Sequence, residues 1–190
     1  MADDDMIRRN LEKDIHDILL SLHITDEEAL QNTPSRLADA LLELTEGLRD
    51  KERKLDKIFS STFSSPSHEM VVVKNIRTES LCPHHLLPVI YTIHFAYIPK
   101  GKVIGLSKIP RFISLLSHQP KLQEDFTQEI VDVFMERMEP SGCMVLVKGF
   151  HSCVSLRGIK QSTEVITSAV RGVFDFQEVK LEALRLMTNG

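Results

Sequence analysis

Leu86-Leu-Pro-Val-Ile-Tyr-Thr-Ile-His-Phe-Ala-Tyr-Ile98 is the stretch that decides the fold. β-Branched and aromatic residues fill it, as they fill a half-buried pleated surface. The run stops at a Pro99-Lys100-Gly101 turn before Val103-Ile104-Gly105, and a similar run, Met70 to Ile76, precedes it. Two helices are predicted next. Ser107 caps the first, with Pro110 tolerated in its opening turn; the second begins near Pro120 and buries Leu122, Phe126, Ile130, Phe134 and Met138 along one face. Two further strands, roughly 142–156 and 163–174, lead to a last amphipathic helix from about 176 to 188. The order ββααββα predicts an α+β domain built on an antiparallel sheet.

Upstream the texture is helical. Leu11, Ile15, Ile18, Leu19 and Leu22 recur at helical spacing, and Thr25-Asp26-Glu27-Glu28 reads as a capping box with Thr25 as N-cap. Thr33-Pro34 is expected to open another helix, carrying Leu37, Ala38, Leu41, Leu42 and Leu44 to Gly47. The charged residues 50–58 mark the expected boundary between a helical arm, 1–55, and a main domain, 56–190, and Ser60 to Ser67 reads as a loop.

The chain has 190 residues, 42% apolar and 26% charged, the make-up of an ordinary globule with one full core and a small appendage. Its acidic start and the lack of a long apolar run predict neither a secretory signal nor a membrane span, hence a cytoplasmic protein. Three cysteines, an odd number, fit reduced thiols. A net charge of −4 argues against nucleic-acid binding, which calls for a basic patch.

Two short clusters carry chemistry: Cys82-Pro83-His84-His85 and His151-Ser152-Cys153. Thiolate and imidazole suit Zn²⁺, and three protein ligands leave a fourth position for water or substrate, as catalytic sites require. Cys82, His85 and Cys153 are read as ligands, with His84 and His151 left for proton transfer. His151 and Cys153 lie in a β-rich run, so on a strand they would project side by side. Cys143 reads as a small buried hydrophobe. Lys108 and Arg111 fall within one turn of a helix N-terminus, where cations oppose the dipole; a phosphate chain would offset them, and solvated surface charge is the equal alternative. Arg157 would extend the Cys153 strand face and place a guanidinium near the metal. Glu124, beside Gln123, could accept two N–H bonds from guanine, although a Glu there also simply stabilises the helix.

The ordered series Thr33-Pro-Ser-Arg36, Ser80-Leu-Cys-Pro-His-His85, Ala96-Tyr-Ile-Pro99, Val103-Ile-Gly-Leu-Ser-Lys-Ile109, Leu122-Gln-Glu124, His151-Ser-Cys153, Arg157-Gly-Ile159 and Thr167-Ser-Ala169 closely resembles the GTP cyclohydrolase I family. The resemblance implies a tunnelling fold, a homodecamer of two stacked pentamers, active sites shared between subunits, and conversion of GTP and water to formate and 7,8-dihydroneopterin triphosphate, the entry to folate or pterin biosynthesis. It implies zinc on Cys82, His85 and Cys153, guanine on Glu124 with Gln123 beside it, triphosphate on Lys108, Arg111 and Arg157 with Ser107 nearby and Arg36 as a further candidate, and proton transfer by His84 and His151. In that scheme the metal activates water for attack at C8 while a histidine protonates N7.

Two positions depart from the family pattern: Pro83 stands where Glu is usual, and Gln119 where Arg is common. The sister readings are a dihydroneopterin triphosphate epimerase, a deazapurine-pathway nitrile reductase, and a regulatory or structural zinc protein that binds GTP or a pterin without turnover. The complete Cys/His/Cys set favours the cyclohydrolase over the two sister enzymes. A zinc nucleobase deaminase is disfavoured because its His-x-Glu and Pro-Cys-x-x-Cys signature is missing.

Overall fold

A computed structural model describes residues 2–188. The chain divides after Glu46 into two compact units. In the first, α1 (Ala2–Ser21) and α2 (Glu27–Leu44) pack through Ile15, Leu19 and Ala38, with Leu11, Ile24, Leu30 and Leu41 around them. Arg8 clamps Asp39 with two hydrogen bonds, Nε to Oδ1 at 2.7 Å and Nη2 to Oδ2 at 3.2 Å.

Two expectations fail in this unit. Asp26, not Thr25, caps α2: its carboxylate accepts from the Ala29 N–H at 2.8 Å, and a negative charge at that end also complements the helix dipole. Thr33-Pro34 opens no new helix, since Pro34 lies buried inside α2. Leu30, Pro34, Ala38 and Leu41 form one stripe at helical spacing, and burying that stripe outweighs the single backbone bond that proline forgoes.

The second unit begins with α3 (Lys51–Phe59), whose Leu55 and Phe59 enter the main core. β1 (Thr62–Ser64) pairs with β4 (Lys102–Ile104), so the stretch read as a Ser-rich loop contains a short strand. The principal sheet is antiparallel, in the order β2 (Val71–Leu81), β3 (Pro88–Ile98), β5 (Gly142–His151), β6 (Glu164–Gly172). Between β4 and β5 come α4 (Lys108–Ser117) and α5 (Gln123–Met138); a four-residue helix, α6 (Ser152–Ser155), follows β5, and α7 (Gln177–Thr188) follows β6. The α+β class with an antiparallel sheet is thus as expected. α5 starts three residues after Pro120, and Leu122, outside it in extended backbone, is exposed, while Phe126, Ile130, Phe134 and Met138 are buried.

Strand alternation sorts the core into two layers. Val89, Tyr91, Ile93, Phe95 and Tyr97 of β3, with Cys143, Val145 and Val147 of β5, meet α4 and α5. Ala96, Met144 and Leu146 point the other way and are joined by Phe174, Ala183 and Met187. Cys143 is fully buried, as predicted, and burial pushes its thiol up to about 12.

His94 faces the second layer. It lines a cavity of about 280 Å³ with Lys74 of β2, Lys148 of β5, Glu164 of β6 and Met187 and Thr188 of α7. Its ring is buried, and among the described residues Nδ1 has no hydrogen-bond partner. Burial first, then the charges of Lys148 and Lys74, hold its pKa below the ordinary histidine value. The unfolded chain therefore takes up this proton at a higher pH than the native one, so the stabilisation is complete above about pH 6.5 and erodes as pH falls towards the lower native value. His94→Gln is expected to flatten the acid-side fall in Tm between roughly pH 7 and 5; an unchanged slope in thermal melts would refute the assignment.

Candidate active site

The antiparallel register brings the two sequence clusters together. Leu81 pairs with Pro88 and Val89 with His151, so the β2–β3 connection and the end of β5 lie at one end of the sheet. In the connection, Cys82 N–H donates to Leu87 O at 2.9 Å, while Leu86 N–H at 2.8 Å and His85 N–H at 3.4 Å both donate to Cys82 O. Pro83 thus occupies the second position of a turn closed on Cys82, where its fixed φ is favoured. The departure at Pro83 removes a side-chain charge but suits the backbone that holds the two expected ligands, Cys82 and His85.

One correction concerns the second cluster. β5 does not run to 156; it ends at His151, and Ser152–Ser155 form a helical turn. His151 and Cys153 consequently do not project side by side from a strand. The helical turn carries Cys153 to Cys82 and His85, while the His151 ring takes Gln123 as its partner. Arg157 likewise does not extend a strand face. It follows Cys153 by one helical interval and still acts on it electrostatically, favouring the thiolate.

The three expected ligands converge: the Cys82 and Cys153 sulfurs and a ring nitrogen of His85 all lie within 4.8 Å of one another. Cys82 Sγ is 3.8 Å from His85 Nδ1, close to the roughly 3.5–3.8 Å between neighbouring ligands of a tetrahedral S/N zinc site with bonds of about 2.0–2.3 Å. Burial raises the Cys153 pKa, and the neighbouring Cys82 raises it further. Two thiols and an imidazole crowded together fit a soft divalent cation, which would relieve that repulsion. His84 Nδ1 is 3.9 Å from Cys82 Sγ and its ring is exposed, so it borders the group.

Glu124 opens α5. Its carboxylate is exposed and lines a cavity of about 210 Å³ with Thr127, Thr167 and Ser168 among others. Its charge reaches both His151 and Tyr91. Burial lowers the His151 pKa, and Glu124 opposes that effect. Gln123, by contrast, is buried, and its side-chain amide is consumed within the chain by contacts to β5 and β6.

Ser107, Lys108 and Arg111 sit at the start of α4. Ser107 stands at the cap position but in helical backbone and makes no capping bond, so its hydroxyl is not the cap that was expected. Ser107 and Arg111 are exposed and Lys108 is half-buried; among the described residues no ion pair engages Lys108, Arg111 or Arg157. No hydrogen bond or ion pair among these residues ties the α4 cations to the Cys82–His85–Cys153 group. Arg36 lies exposed on α2, in the first unit.

Residue patterns missed two participants. Gly149 faces Gln123: a Cβ there would lie 2.2 Å from Gln123 Oε1 and 3.0 Å from Tyr91 Cε1. Tyr91 stacks on Phe126 at 5.1 Å and meets the His151 ring edge-on at 6.4 Å. A lone glycine within a strand run was the available signal for such a close approach.

The antiparallel α+β fold with a Cys/His/Cys donor set at one end of its sheet defines a candidate metal-dependent enzyme. A model of the GTP cyclohydrolase I family matches residues 11–188, and the chain belongs to that family. It is 42% identical over 166 residues to GTP cyclohydrolase 1 of Desulforamulus reducens, covering 85% of this chain and 87% of that one. With GTP cyclohydrolase 1 of Caldanaerobacter subterraneus subsp. tengcongensis it shares 37% identity over 186 residues, 96% of this chain and 97% of that one. The crystal structure of the archaeosine synthase QueF-Like in the apo form aligns with a TM-score of 0.44 and 23% identity, covering 57% of this chain and 96% of that one. Among the described residues no helix is long and apolar enough to cross a membrane.

Proposed function

We propose that this chain hydrolyses GTP at C8 of the purine, releasing formate and forming 7,8-dihydroneopterin triphosphate, with Zn²⁺ held by Cys82, His85 and Cys153. The observation that carries this reading is the convergence of those three donors in a member of the GTP cyclohydrolase I family. Bound there, the ion supplies Lewis-acid activation of water near neutral pH.

The remaining work falls to side chains. Glu124 accepts two parallel N–H bonds from the guanine edge, which fixes the base and tells guanine from adenine. Ser107, Lys108, Arg111 and Arg157 hold the triphosphate; cations that pair with no carboxylate among the described residues are available for that task. His84 and His151 move protons at N7 and at the sugar, since imidazole is the side chain that exchanges protons near neutrality. A homodecamer with active sites shared between copies, which the family resemblance implies, is part of the same proposal. So is a cytoplasmic setting.

The test is GTP turnover with metal analysis of the same sample. Formate, and a pterin fluorescent after oxidation, are expected from metal-loaded protein; tight GTP binding without formate would replace catalysis by a binding role, and turnover of dihydroneopterin triphosphate instead would point to an epimerase. Glu124→Ala is expected to raise KM for GTP roughly 10- to 100-fold, the value of charge-assisted hydrogen bonds.

A further inference from the structure

Gln123 is a buried polar side chain at the site, and donor and acceptor chemistry orients its amide. Its Nε2 lies 3.3 Å from Val147 O, 3.0 Å from Val165 O and 3.1 Å from Thr167 Oγ1. Backbone carbonyls only accept, so the amide nitrogen must face them and the amide oxygen must face His151. Thr127 Oγ1 is 2.6 Å from Gln123 O, again a pure acceptor, so the Thr127 hydroxyl donates there. Thr167 Oγ1, 2.6 Å from Thr127 Oγ1, must then donate to Thr127 and accept from Gln123. The two amide hydrogens are shared among these three acceptors, and the result is a one-way ring: Gln123 amide to Thr167 to Thr127 to the Gln123 backbone carbonyl. An amide held in such a ring has no room to flip.

Its Oε1 meets His151 Nε2 at 2.9 Å, so Nε2 must carry a hydrogen. Gly149 leaves the space this contact occupies, as its missing Cβ would sit 2.2 Å from Oε1. We infer that Gln123 is a positioning residue that fixes His151 as its Nε2–H tautomer and leaves Nδ1 as the atom through which His151 exchanges protons. A proton taken by the Nδ1 lone pair gives an imidazolium whose Nε2–H still rests on Gln123 Oε1; its return to substrate through Nδ1 restores the starting tautomer. The ring plane stays fixed through the cycle. This gives Gln123 a task other than contact with guanine.

The role of His151 here rests on the cyclohydrolase reading above, and the test separates the two. Gln123→Met removes the acceptor at similar volume; Gly149→Ala displaces the amide while leaving both chemical groups intact. In each variant kcat for formate release from GTP is expected to fall at least about tenfold, the order of a misplaced proton-transfer group, with KM for GTP within about twofold and zinc content unchanged. The ¹⁵N spectrum of the neutral imidazoles, with His151 assigned by its loss in His151→Asn, is expected to show Nε2 protonated in the parent and a mixed tautomer in both variants. A rise in KM at constant kcat would make Gln123 a substrate contact and overturn the inference, as would a parent His151 protonated at Nδ1. Should the parent release no formate, the proposed activity fails while the imidazole spectra still decide the tautomer.

Discussion

Cys153→Ala is expected to abolish formate release from GTP, by at least about a thousandfold, and to strip the metal from otherwise folded protein. Replacing a partner that merely orients a ligand already costs about 10–100-fold in metal affinity or activity, and losing one of three ligands exceeds that. The remaining Cys82 and His85 sit on one turn, whereas Cys153 comes from the helical turn beyond β5, so its loss would leave both donors on a single connection. Cys143→Ala is the internal control. Its sulfur is buried and hydrogen-bonds Val131 O at 3.6 Å, in the core layer under α5, so zinc content and turnover should persist. Added zinc should raise the Tm of the parent and of Cys143→Ala, since a ligand at about 100 times its Kd stabilises by about 2.7 kcal/mol, and should leave Cys153→Ala unmoved. Parent-like zinc content in Cys153→Ala would show that the ion is held elsewhere.

The convergence of Cys82, His85 and Cys153 was legible because it follows from residue type more than from geometry: thiols and imidazoles gathered in two short clusters have few other uses. The sheet was legible for a similar reason, since the runs around Ile93 and Val145 suit a pleated surface and little else. Backbone course at Ser152 was not. The run through Val147 has strand character, and nothing local distinguishes one more strand residue from the first of a helical turn. Gln123 shows the limit more sharply. Its bonds reach Val147, His151, Val165 and Thr167, 24 to 44 positions away, and no spacing rule encodes contacts so distant. Pro34 is the opposite case: a strong local signal overruled by a buried stripe. Local chemistry therefore carried the donors, and tertiary contacts carried their aim.

Those tertiary contacts converge on one ring. Phe134 of α5 lies 4.8 Å from Phe95, 5.0 Å from Tyr97, 5.7 Å from Phe112 and 6.1 Å from Phe59, mostly at tilted or edge-to-face angles. It joins α3, β3, α4 and α5 in a single cluster, and it is fully buried. Phe134→Ala removes the hub from a rigid aromatic cage that collapses only partly, so a loss of about 3–5 kcal/mol is expected. At roughly 2–4 °C per kcal/mol for a chain of this size, Tm should fall by about 10 °C. Phe134→Leu refills much of the volume and should lose markedly less. The effect should also reach the site. Phe126 lies on the same buried face of α5 and stacks on Tyr91, which abuts His151, while Gln123 occupies the first turn of that helix. Loosening α5 at Phe134 should therefore lower kcat at temperatures well below the new Tm. A Phe134→Ala protein with parent-like Tm would mean that the aromatic cage is not what holds α5 on the sheet.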